Sequence, residues 1–65
     1  MKMEFVLMRG KDDGYPQVEV DTFEIVNAVH IPRIDEIIYY HGRDYRVSEV
    51  TWDLEEDTVF VGGRF

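Results

Sequence analysis

The sequence predicts one mainly β domain over residues 1–65, with four or five antiparallel strands curled into a small barrel. Three observations predict it. The apolar runs are short, rich in β-branched and aromatic residues, and several alternate with polar residues at the period of a strand. Breakers separate these runs at Gly10, Asp13-Gly14, Pro16, Pro32, Gly42 and Gly62-Gly63. Finally, 65 residues without a cysteine must hold together by packing one small core, and an aromatic content of 14% supplies large side chains to bury in it.

Met3 to Met8 (MEFVLM) reads as the first strand. Met1, Met3, Phe5 and Leu7 line one face, and Lys2, Glu4, Val6 and Met8 the other. Arg9 to Pro16 (RGKDDGYP) is loop chemistry, in which Asp13-Gly14 suits a tight turn. Gln17 to Val20 (QVEV) alternates, completing a first hairpin. Residues 21–29 fit two patterns. Thr, Phe, Ile and Val favour a strand continuing from Val20 through a bulge at Asp21-Thr22. Asp21 with Glu24 has the form of a helix capping box, and a short helix near 21–30 makes the fold α+β. Pro32 stops this stretch. Ile37 to Tyr40 (IIYY) is a strand, His41 to Asp44 a tight turn, and Tyr45 to Trp52 (YRVSEVTW) the next strand. Tyr45, Val47, Val50 and Trp52 share a face only if one residue bulges near Ser48-Glu49. Asp53 to Asp57 (DLEED) turns the chain, and Thr58 to Val61 (TVFV) is the last strand, ended by Gly62-Gly63.

From Pro32 onward this order is similar to the compact meander of SH3-like small β-barrel proteins found in bacteria and phages. The resemblance rests on Pro32 and Ile34, the strand Asp35 to Tyr40, the Gly42-Arg43 turn, Tyr45 and Val47, Val50 to Asp53, and Val59 and Val61. It covers about half the chain and consists of packing and turn motifs, so it implies architecture rather than activity. In size and charge alone, the chain also resembles small phage anti-defence inhibitors of the anti-CRISPR type.

The charge is acidic and uneven. Fourteen Asp and Glu stand against seven Lys and Arg, a net charge of −7. Residues 1–33 hold six acids and four bases (−2), and residues 34–65 hold eight acids and three bases (−5). The segment Glu49 to Asp57 (EVTWDLEED) has five acids, no base and the only Trp. Direct nucleic-acid binding is disfavoured, because phosphate contact needs a basic patch. Glu49, Asp53, Glu55, Glu56 and Asp57, joined by Asp35 and Glu36, are the candidate partner-binding residues. Their carboxylates can imitate a nucleic-acid backbone and occupy a basic protein groove. The plain alternative is a solvated acidic turn that keeps a small protein soluble. Barrel packing is expected to bury Trp52, Tyr40 and Tyr45, while Tyr39 is the candidate exposed anchor and Phe60 is left open.

Enzyme chemistry finds no support: there is no P-loop, no nucleophile elbow and no Cys, and Ser48 stands in no motif. Glu55 and Glu56 are adjacent and cannot face each other across a cleft. His30 and His41 have no metal-ligand spacing, so no cofactor or metal is expected. No apolar run is long enough for a membrane span, and the chain reads as cytoplasmic. The expectation is a non-enzymatic acidic binding protein, monomeric or a small homo-oligomer. Its partner is a basic protein surface, that of a nucleic-acid-binding protein or complex. A phage or mobile-element inhibitor of host defence is its concrete form, and a structural or assembly module the alternative.

Overall fold

The computed structural model describes residues 1–10 and 18–65; the predicted Asp13-Gly14 turn and Gln17 lie outside the described residues. Among the described residues, five strands form one sheet: β1 (Lys2–Arg9), β2 (Val18–Val26), β3 (Ile37–Tyr40), β4 (Arg43–Asp53) and β5 (Thr58–Arg64). Their order is β2-β1-β5-β4-β3, and the sheet curls into a half-barrel. Three pairings are antiparallel as expected, but β1 and β5 run parallel. Strand number explains this: when five strands alternate in direction around a curl, the first and the last point the same way. The barrel is left open between β2 and β3, the two ends of the sheet.

Residues 21–26 are strand, and the described residues contain no helix. The register passes from Leu7↔Asp21 to Met8↔Glu19, so the bulged residue is Val20, one position before the expected Asp21-Thr22. Asp21 and Glu24 therefore cap nothing. Among the described residues, the non-glycine positions with positive φ are Asn27, Asp35, His41 and Asp57, all of types that tolerate the left-handed region. His41 and Gly42 (φ 48° and 79°) form a two-residue loop between the paired Tyr40 and Arg43, the pattern of a type I′ hairpin. In the β4–β5 turn, Asp53 Oδ1 accepts from the Glu55 and Glu56 amides (3.1 and 3.2 Å), and Asp57 (φ 50°) closes it.

Alternation puts Met3, Phe5 and Leu7 on the concave face of β1, where all three are buried. The β4 bulge falls between Val47 and Glu49, where the sequence needs it. It keeps Tyr45, Val47 and Val50 on the concave face with Val59 and Val61. Phe23, Ala28, Ile31 and Ile38 close over this core from the side. Gly62-Gly63 does not end β5, which runs on through Arg64. A methyl group at Gly63 would stand 3.0 Å from Leu7 Cδ2 and 3.3 Å from Tyr45 Cβ, so the missing side chain makes room for its neighbours. Beyond it Phe65 packs edge-on against Tyr45, with the Arg43 guanidinium 3.9 Å over its ring.

Side chains span the open seam. Phe5, Phe23 and Tyr40 stack in a row, with ring centroids 4.8 and 4.5 Å apart, and the Tyr40 hydroxyl donates to Asp21 Oδ2 at 2.6 Å. That bond first, and then the Thr22 amide, hold the Asp21 carboxyl below its ordinary 3.8; the same bond raises Tyr40 above 10.0. A carboxyl depressed by folding stabilises the fold above its unfolded pKa, and this stabilisation is lost as pH falls through the lower folded value. The stability difference between wild type and Asp21→Asn is therefore expected to shrink as pH falls below about 4. Urea unfolding at stepped pH checks this, and a constant difference down to about pH 2 contradicts it.

Candidate protein-binding surface

The segment between β2 and β3 shapes the most distinctive surface. It leaves β2 through the left-handed Asn27, and the Ala28 amide donates to the Met1 carbonyl at 3.1 Å. At its far end the Asp35 amide donates to the Val47 carbonyl (2.9 Å), and the Val47 amide to the Glu36 carbonyl (2.8 Å). Glu36 Oε1 also accepts from the Arg33 amide at 2.5 Å, and Pro32 stiffens the middle. Pinned at both ends, the segment packs Ala28 and Ile31 on the core and leaves Ile34 exposed.

Between this segment and β4 lies a groove of about 440 Å³ lined by Ile31, Pro32, Arg33, Ile34, Val50 and Trp52. Trp52 pairs with Val59 and so shares the concave face, but its side chain stays 55% exposed instead of buried as expected. The reason is the shortness of β3: it pairs with β4 only over Arg43–Arg46, so no strand lies beside Trp52 on the side away from β5. Two residues further, Leu54 is 86% exposed within the acidic turn. A half-exposed indole lining an apolar groove is the usual making of a contact anchor.

The structure divides the predicted residues. Asp53, Glu55, Glu56 and Asp57 come together at the β4–β5 turn beside Trp52. Within it, Asp53 holds the turn and Asp57 lies 3.7 Å from the terminal amine of Met1. Glu55 and Glu56 are exposed, and their carboxylates take neither of these roles. Glu49 lies apart on the convex face, opposite Gly62. Asp35 lines a separate hollow with Arg46, Ser48 and Arg64, and the Glu36 carboxylate is engaged by Arg33. Tyr39 is 73% exposed, but on β3 at the sheet edge.

Sequence reading missed Trp52 as a surface residue, and Ile34 and Leu54 with it. Leu54 carried a signal, since an apolar residue inside DLEED serves no need of the turn. It also missed a convex-face pairing: Lys2 Nζ lies 3.3 Å from Glu4 and 3.7 Å from Glu24, which raises its pKa, Glu4 most. These acids are partly neutralised, unlike Glu55 and Glu56. Among the described residues no three His, Asp or Glu side chains gather to hold a metal ion, and no helix is long and apolar enough to cross a membrane. Compared with known proteins, the chain matches no family model, no curated protein and no solved structure.

Proposed function

We propose that this chain is a non-enzymatic binding module that engages a basic protein surface through the Trp52 groove and the Asp53–Asp57 turn. The observation that carries this reading is the half-exposed indole at the rim of an apolar groove, one turn away from the solvent-facing carboxylates of Glu55 and Glu56. A lysine or arginine can lay its methylene stem on such a ring and place its charge on the carboxylates, while a neighbouring apolar side chain enters the groove. The remaining net charge steers the encounter. The curled five-stranded sheet is compatible with an SH3-like barrel, a scaffold that presents such surfaces on many unrelated binding proteins.

A protein that ordinarily binds nucleic acid offers the matching basic surface. An inhibitor that covers such a surface on a defence protein is the concrete form of this reading. Its test is charge reversal in the turn. Glu55→Lys with Glu56→Lys is expected to weaken binding to a captured basic partner about tenfold or more, with a loss that shrinks as salt rises. Both sites are exposed, so the thermal midpoint should hardly move. Undiminished binding by the reversed protein defeats the reading.

A further inference from the structure

The half-barrel leaves a nine-residue edge. β2 pairs with β1 on one side only, and among the described residues no other strand pairs with its outer side. Exposed edge strands are usually protected by lysine, proline or a covering element. The strand Val18–Val26 (VEVDTFEIV) has no Lys, Arg or Pro. Its defences are the Val20 bulge and three acids, Glu19, Asp21 and Glu24, the last already 3.7 Å from Lys2. It exposes apolar side chains along its length, with Val18 at 58% and Val26 at 65%. The opposite edge, β3, is only four residues long.

We propose that the β2 edge takes an extended basic segment of a partner protein as a sixth strand. Main-chain hydrogen bonds would supply the attachment, and alternate side chains the selectivity. Charge decides between occupants. A second copy of this chain would bring the same three acids to the edge, on a body of net charge −7. A lysine- or arginine-bearing strand meets them with opposite sign. The inference takes only the sign of the partner's charge from the reading above, and nothing from the Trp52 groove.

The seam shows how such a strand fits. The ring spacings along Phe5, Phe23 and Tyr40 (4.8 and 4.5 Å) are close to the separation of neighbouring strands. Tyr40 thus holds the position beside Phe23 that a residue of the added strand would take. An aromatic residue on the incoming segment replaces its stacking, and a basic one takes over Asp21 from the Tyr40 hydroxyl.

The test uses the whole isotope-labelled protein and a synthetic peptide of roughly ten residues, alternating Lys and Val around a central Phe and long enough to span the edge. A twin peptide carries N-methyl groups on alternate amides and has the same charge. NMR titration is expected to show shifts and slowed amide exchange along Val18–Val26. The N-methylated twin is expected to bind about tenfold more weakly or worse. Val18→Lys with Val26→Lys, both at exposed sites, should weaken the unmodified peptide similarly, whereas Glu55→Lys with Glu56→Lys should leave the β2 shifts in place. Equal shifts along Val18–Val26 with the twin overturn the proposal, as does a peptide that leaves Val18–Val26 unshifted, whatever it does at Trp52. Protection of β2 that grows with protein concentration in the absence of peptide also overturns it, in favour of a second copy. None of these outcomes depends on whether the turn acids bind their own partner.

Discussion

Replacing Leu7 by alanine is expected to remove about 3 kcal/mol of stability. Leu7 has no exposed surface, and it packs where β1, β5 and β4 converge over Gly63 and Tyr45. With the β5 position opposite it a glycine, no side chain there can fill the void. A domain of this size has roughly 3–10 kcal/mol in total, so the loss takes a large share of it. In thermal unfolding the midpoint should drop by about 12–24 °C. Phe60→Ala on the convex face, where the ring is already partly in water, should fall far less. Similar drops for the two variants would show that the concave face does not hold the fold together.

The second large effect is on binding. Trp52→Ala is expected to cost about 2 kcal/mol of partner affinity, close to thirtyfold. Its cost in stability should be well below that of Leu7→Ala, because more than half of the indole is already exposed. Calorimetric titration and urea unfolding of the same variant separate the two quantities. A tryptophan that serves the core would show the reverse: a large drop in the unfolding midpoint and an affinity that follows only the folded fraction.

Local chemistry made much of the fold readable. The faces of β1, the His41-Gly42 turn and the β4 bulge all follow from alternation and turn residues within a few positions of one another. Strand prevailed over helix at 21–26 for the same reason: Phe23, Ile25 and Val26 suit a pleated surface better than Asp21 and Glu24 suit a cap. Which distant strands meet is not written locally. The parallel β1–β5 pairing and the continuation of β5 through Gly62-Gly63 depend on how the sheet closes, and Gly63 looks like a terminator until Leu7 and Tyr45 are beside it. The candidate surface divides in the same way. The turn acids were legible because they are neighbours in sequence. The exposure of Trp52 was not, since its parity assigns it to the concave face and only the shortness of β3, which leaves the end of β4 without a strand on one side, returns it to solvent. Asp35 and Glu36 looked like part of one acidic strip, but backbone bonds to Val47 hold them on the far side of the loop.

Trp52 is the only tryptophan, so its emission reports on the groove alone. The most direct measurement is a fluorescence titration with a synthetic Lys- and Leu-rich peptide, repeated on the protein carrying Glu55→Lys and Glu56→Lys. The account predicts a saturable blue shift of the indole emission that weakens with salt and is lost on charge reversal. Indole emission that stays unchanged at saturating peptide, or a blue shift that survives the reversal undiminished, would contradict it.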